Sequence, residues 1–321
     1  MPTFTAFSAY STDSLTPHGG FSFIDKKQIS KSTFDQRQNT ILNGKFSYKT
    51  DENFFVSDLK GSIKSIEYYS GLDPSGQPIS NATKVFTINS AKFDYNTYDQ
   101  IYSFTLKSND KSNTSLENFY FSGNDKFIGS NFSDFIDLPI LGKDKIFGNG
   151  GNDIIFSKSN TISVDAGSGK DLIKIQSSAA KITGGLDSDI FFIKNLGQKF
   201  IIQDFQFDDF LEVSLSEKPS NLRIDYIDNR GSISTENIVF GKNALDSNDF
   251  FVYDQKSKTL FFDSDGSGAN EKQIIAKFKK SPFSSLDDLS DRLSIVIVGQ
   301  NSNEGLAENY SMWIFEMNYG R

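Results

Sequence analysis

The chemistry in this chain is concentrated at eight positions, mostly nine residues apart. Asp125, Asp134, Asp144, Asp153, Asp171 and Asp189 hold six of them, and Ile162 and Ala180 hold the other two. Glycines crowd the residues just before several of these aspartates: Gly148, Gly150 and Gly151, then Gly167 and Gly169, then Gly184. A carboxylate is a hard anionic oxygen. Glycine admits positive φ and lets backbone carbonyls approach without a Cβ in the way. Turns of this composition, stacked, can offer the six to eight oxygens at roughly 2.3–2.6 Å that Ca²⁺ prefers. Mg²⁺ fits such a set worse, because it demands a small octahedron and keeps its waters.

The elements that would position these turns are short strands. Two residues after each of the eight positions stands a large apolar residue: Phe127, Ile136, Ile146, Ile155, Val164, Ile173, Ile182 and Phe191. Steps of nine connect them, with one step of ten between Ile136 and Ile146. Alternation along a strand sends these side chains to one face, where they would line a narrow core. A nonapeptide of the form G-G-x-G-x-D-x-U-x builds a parallel β-roll. Each coil uses two units, so turns on one edge lie eighteen residues apart. Asp153, Asp171 and Asp189 then stack on one edge, with Asp134 before them. The other edge holds Asp125 and Asp144, then Ile162 and Ala180, and should lose its metal while keeping its coil. The insertion at Leu138-Pro139-Ile140-Leu141 predicts a bulge. A plain β-solenoid with acidic turns and no metal is the competing expectation.

The remaining chain reads as all-β. Residues 1–115 are polar and aromatic-rich, with alternating segments at 44–48, 62–69 and 84–88, which predict a small β-sandwich-like or open-sheet domain. A turn is expected over 71–78 and a linker over 108–115. The roll is placed at 116–195 and a β-rich cap at 196–298, since a solenoid end exposes unpaired backbone and core. In that cap, 249–254 and 259–262 read as a hairpin. It is followed by the acidic glycine loop Asp263-Ser264-Asp265-Gly266-Ser267-Gly268 and a strand at 273–278. Asp263, Asp265 and Glu271 could hold a further calcium. An Asx-rich turn without an ion fits the same residues, and the loop departs from an EF-hand in its glycine and its missing twelfth-place Glu.

Composition narrows the function. Lys and Arg number 33 against 41 Asp and Glu, a net charge of −8. That disfavours nucleic acid and suits cations. Cysteine is absent, which removes disulfides, thiol catalysis and thiolate metal sites together. His18 is the only histidine, so an H-E-x-x-H zinc protease is excluded. No G-x-S-x-G elbow accompanies His18, and no phosphate-binding P-loop is present. A carboxylate-only glycosidase needs just two acids, and Asp51, Glu52 and Glu67 are available for one. The N-terminus shows no basic region followed by an apolar stretch, so no cleavable leader is expected. No run approaches a membrane span, which also argues against a membrane-damaging toxin. Cytosolic calcium would not fill weak sites of ~10⁻⁴–10⁻³ M, so the repeats point outside the cell.

Two features together carry a family resemblance. One is the repeat array, best seen in Gly148–Phe156 and Ala166–Lys174. The other is the segment Phe250–Phe278, with its aromatic-Tyr-Asp hairpin, its acidic glycine loop and its Ile-Ala strand. The chain resembles the RTX family, the hemolysin-type calcium-binding proteins exported by type I secretion, over about residues 116–298. The resemblance implies Ca²⁺ as the bound ion and a chain kept largely unfolded in the low-calcium cytoplasm. It implies export on an uncleaved C-terminal signal and folding outside, in the extracellular space or at the cell surface. Residues 299–321 are then either that signal or an added strand. The leading expectation is a secreted, non-catalytic protein for adhesion, a surface layer or glycan binding. The alternative is a small secreted polysaccharide-modifying enzyme using carboxylates of the N-terminal domain.

Overall fold

The computed structural model describes residues 3–6, 21–24, 28–32, 38–50, 56–72, 78–89, 93–94, 124–138, 143–157, 161–176, 179–227 and 230–297. The protein is nearly all β and divides into two compact units, Met1–Phe147 and Gly148–Arg321.

In the first unit, strands β1 (Thr3–Ala6), β2 (Phe21–Ile24), β3 (Gln28–Ser32), β4 (Gln38–Thr50), β5 (Val56–Leu72) and β6 (Pro78–Asn89) form an antiparallel sheet. Its order is β2-β3-β4-β5-β6-β1, with β7 (Phe93–Asp94) beside β5. The three alternating segments lie inside β4, β5 and β6. Alternation does the sorting: Leu42, Phe46 and Ile63 are buried, whereas Lys45, Ser47, Ser62 and Lys64 are exposed. On its other side β1 pairs in parallel with β8 (Lys126–Ile128), Thr3 opposite Lys126. After β9 (Phe135–Leu138) the chain returns as β10 (Lys143–Gly150), which pairs in parallel with β8, Lys145 opposite Lys126. This coil is one residue longer than two nonapeptides, as the ten-residue step requires. The centre of the expected bulge, 139–142, lies outside the described residues, as does the linker at 108–115.

In the second unit the coils are regular. Strands β11 (Ile154–Ser157), β13 (Leu172–Ile175) and β15 (Ile190–Ile193) stack in parallel with Ile155, Ile173 and Phe191 aligned. Strands β12 (Thr161–Ser168) and β14 (Ala179–Leu186) do the same on the other face, Val164 opposite Ile182. Partners differ by eighteen residues throughout. Parallel stacking runs on past residue 195. Strand β16 (Lys199–Ile202) joins β14, and β17 (Phe210–Leu215) joins β15, now offset by twenty residues. Two inserted residues broke the nine-residue count there without breaking the coil. All eight expected core residues, Phe127 through Phe191, are at most 2% exposed, in whichever unit they fall. Each such side chain fully buried contributes about 1.5–3 kcal/mol.

The stack then closes with antiparallel pairs, which end a parallel ladder without leaving it open. Hairpin β18 (Ile224–Ile227) and β19 (Arg230–Ile233) abuts β24 (Leu293–Ile297), itself parallel to β17. After β20 (Ile238–Phe240), hairpin β21 (Phe251–Asp254) and β22 (Thr259–Phe262) leads to β23 (Gln273–Phe278), parallel to β16. This hairpin and strand stand where the alternation placed them. Tyr253, Phe278, Phe283 and Phe205 pack edge-on, with ring centres 5.1–6.3 Å apart. A short helix α1 (Leu286–Arg292) starts at Ser285, whose hydroxyl accepts the Asp288 N–H, a normal helix cap. Among the described residues no helix is long and apolar enough to cross a membrane.

Candidate metal centre

The edge of interest joins the ends of β10, β12 and β14 to the starts of β11, β13 and β15. At each turn the backbone enters positive φ twice. The first time is at Asn149 (75°), Gly167 (113°) and Gly185 (115°). The second is at Gly151 (96°), Gly169 (115°) and Asp187 (75°). Asn149 and Asp187 are the non-glycine types that tolerate the left-handed region best. Glycine is also required by proximity. A Cβ on Gly169 would lie 2.2 Å from the Gly151 carbonyl oxygen, and one on Gly185 would lie 1.8 Å from that of Gly167. The carbonyls of each turn therefore aim at the next turn, eighteen residues on.

Beneath these turns runs a carboxylate ladder. The Asp153 N–H donates to Asp171 Oδ1 at 2.8 Å, the Asp171 N–H to Asp189 Oδ1 at 3.0 Å, and the Asp189 N–H to Asp209 Oδ1 at 3.0 Å. All four residues are at most 1% exposed. The second oxygens of Asp153 and Asp189 point at the first residue of their own turns. A Cβ on Gly148 or on Gly184 would come within 2.3 Å of them. Gly148 and Gly184 thus make room for carboxylates, Gly151, Gly167 and Gly169 shape the turn, and Gly150 ends β10.

The decisive feature is electrostatic. A ladder that only satisfied backbone N–H groups would need one oxygen per rung. Asp171 Oδ2 and Asp189 Oδ2 are buried and accept no hydrogen bond. Burial raises the Asp171 carboxyl from 3.8 to about 8, helped by the nearby Asp187 charge and opposed by its backbone hydrogen bond. Burial, with Asp171, Asp209 and Asp204 close by, raises Asp189 to about 9. Buried carboxyls without a partner for their second oxygen require a proton or a cation. Among the described residues no three His, Cys, Asp or Glu side chains converge. An ion here would draw most of its oxygens from the turn carbonyls and one or two from the ladder. That is the donor chemistry of calcium rather than of zinc.

The ladder ends differently. Asp209 Oδ1 takes the Asp189 N–H, and its Oδ2 takes the Gln206 N–H at 2.6 Å, so burial raises it only to about 6. Asp204 receives the N–H groups of Gly184 and Gly185, each at 3.0 Å. Asp209 escaped the repeat count because two residues are inserted before it, and Asp204 because it stands level with Gly184, at the first place of its unit, where the pattern has glycine. The triplet Asp209-Phe210-Leu211 still had the acid-then-apolar spacing that could have marked it. In the first unit, Asp134 lies just before β9, as Asp153 lies just before β11 in the second unit. Both its oxygens bind Ser130, one to the N–H at 2.6 Å and one to the hydroxyl at 3.2 Å. On the other edge of that unit the Asp125 N–H donates to Asp144 Oδ1 at 2.9 Å. In the second unit Ile162 and Ala180 stand opposite each other in the strand pairing.

Comparison with protein-family models, with curated proteins and with solved structures finds no match to this chain. The functional reading rests on the residues themselves. His18, Asp51, Glu52 and residues 299–321 lie outside the described residues. Of the N-terminal acids, Glu67 is placed by its backbone alone, on β5, opposite Ile41 and Thr87.

Proposed function

We propose that the second unit is a calcium-binding β-roll, and that the protein works outside the cell as a non-catalytic surface, adhesion or glycan-binding protein of RTX type. One observation carries the calcium reading: the ladder of buried aspartates whose second oxygens, at Asp171 and Asp189, have no hydrogen-bond donor beneath turns that aim carbonyls at one another. Asp153, Asp171 and Asp189, with the carbonyls of Asn149, Gly151 and Gly167, would hold the ions. Bound calcium supplies the positive charge that lets the carboxylates stay ionised in a dry core, and it links coil to coil. The absence of cysteine fits this role, since an ion then does the stapling that disulfides do elsewhere. Calcium-dependent folding in turn supports export through type I machinery, followed by ordering at extracellular calcium.

The test is circular dichroism of chelator-stripped protein during calcium addition, with magnesium as the control. The reading expects a cooperative gain of β-signal with calcium alone, weakened in Asp189→Ala. A spectrum already complete in chelator and unmoved by calcium would reduce the repeats to scaffolding. Binding of the calcium-loaded chain to cell-surface polysaccharide, measured in parallel, tests the adhesive role.

A further inference from the structure

We propose a second, independent calcium site in the cap, built on Asp263 and Asp265 where β22 runs into the loop before β23. Burial, together with the neighbouring Asp265 carboxylate, holds the Asp263 carboxyl above its ordinary value. Asp263 is 6% exposed, and its Oδ1 has no hydrogen-bond partner. Asp265 Oδ1 is likewise shielded and without a partner, while its Oδ2 takes the Asn270 N–H at 3.1 Å. One buried oxygen from each residue is therefore left for something positive. The nearby cation spends its hydrogen bonds elsewhere. The Lys272 ammonium donates to the Lys242 carbonyl and to Asn243 Oδ1, and lies 4.6 Å above the Phe261 ring.

The backbone around the pair is shaped for close approach. Gly266 sits at φ 63°, and a Cβ there would lie 2.5 Å from the Asp246 carbonyl oxygen. That carbonyl accepts the Ser267 N–H at 2.8 Å. A Cβ on Gly268 would lie 2.1 Å from Asp265 Oδ2. The facing loop is held by Asp249, whose Oδ2 accepts the N–H groups of Leu245 (2.7 Å) and Asp246 (3.2 Å). The Asp263 N–H donates to the Phe250 carbonyl, next to Asp249. Two loops thus meet beside two carboxylates, and carboxylate oxygen is the donor that a hard divalent cation such as calcium prefers. Glu271, the third acid of the segment, is exposed and is not needed. An ion here would pin the hairpin β21–β22 to the loop over 245–249, apart from the roll edge.

The experiment counts ions on the full chain by equilibrium dialysis against calcium, for wild type, Asp265→Asn, Asp263→Asn and Asp189→Asn. Both cap substitutions are isosteric. The expected result is one bound ion fewer in either cap variant, with the calcium-dependent change in the roll's circular dichroism retained. Asp189→Asn should lose roll ions and keep the cap ion. A cap variant that folds and binds as many ions as wild type would overturn the site and leave the roll reading intact, the pair then simply sharing a proton. Hydrogen exchange on wild type, with and without calcium, needs no variant. Calcium should slow the amides of residues 264–268, and unchanged exchange there would equally overturn the proposal.

Discussion

Replacing Asp171 by Asn should stabilise the metal-free protein and reduce what calcium adds to its stability. Asn keeps an oxygen to accept the Asp153 N–H and discards the charge. In wild type the folded carboxyl titrates at about 8 against 3.8 for the free group. The fold therefore holds this proton more tightly than the unfolded chain does. Its contribution to metal-free stability is complete below the unfolded value, falls as pH climbs from there to about 8, and is flat above. Four units at 1.36 kcal/mol each amount to about 5 kcal/mol. That is comparable with the whole stability of a typical domain, roughly 5–15 kcal/mol. Asp189, raised to about 9, extends the same decline upward. In calcium the sign reverses, because ions and protons compete for the same oxygens and binding tightens as pH rises.

The assay is urea unfolding followed by circular dichroism, at several values between about pH 5 and pH 9, in chelator and in excess calcium. In chelator at the alkaline end, Asp171→Asn should be the more stable protein by several kcal/mol. In calcium that lead should shrink by about 4 kcal/mol for each ion the variant fails to bind, since an ion at thousandfold excess over its Kd is worth that much. The loss of the variant's advantage on adding calcium is the signature. Metal-free wild type with flat stability across that pH range, or a variant weaker under both conditions, would show that Asp171 is a neutral structural group and refute the argument.

Two further outcomes follow from the geometry. Gly185→Ala should destabilise the calcium-loaded roll by at least ~1–3 kcal/mol in thermal or urea unfolding, since alanine must adopt φ near 115° with its Cβ against the Gly167 carbonyl. Arg292→Ala should cost about 3–5 kcal/mol in the same measurement. Arg292 is 5% exposed, pairs with Asp288 at 2.6 Å, and donates to the carbonyls of Gln206 (2.8 Å) and Pro282 (2.7 Å), so its loss orphans three acceptors and opens the aromatic cluster.

The roll was legible in the sequence because its two rules are local and repeat. An apolar residue every nine positions must face inward, and a turn that reverses within a few residues needs positive φ at fixed places. Ile155, Ile173 and Phe191 obey the first rule, and Gly167 and Gly169 the second. The hidden part is whatever depends on contacts between distant residues. Asp209 closes the ladder although two inserted residues remove it from the count, because backbone pairing of Phe191 with Leu211 tolerates a longer loop while the core position is kept. Arg292 is invisible as a core residue, since a charged side chain is read as surface unless its acceptors, far apart in the chain, are known. The same logic bears on metal. Periodic aspartate announces a ladder, but one oxygen per rung is consumed by the backbone whether or not an ion is present. Only the second oxygen discriminates, and its partner is set by the fold: Gln206 supplies an N–H to Asp209, Ser130 supplies one to Asp134, and Asp171 and Asp189 receive none. Metal dependence should therefore be strongest at those middle rungs and weakest at Asp134 and Asp209, which bind their own loops.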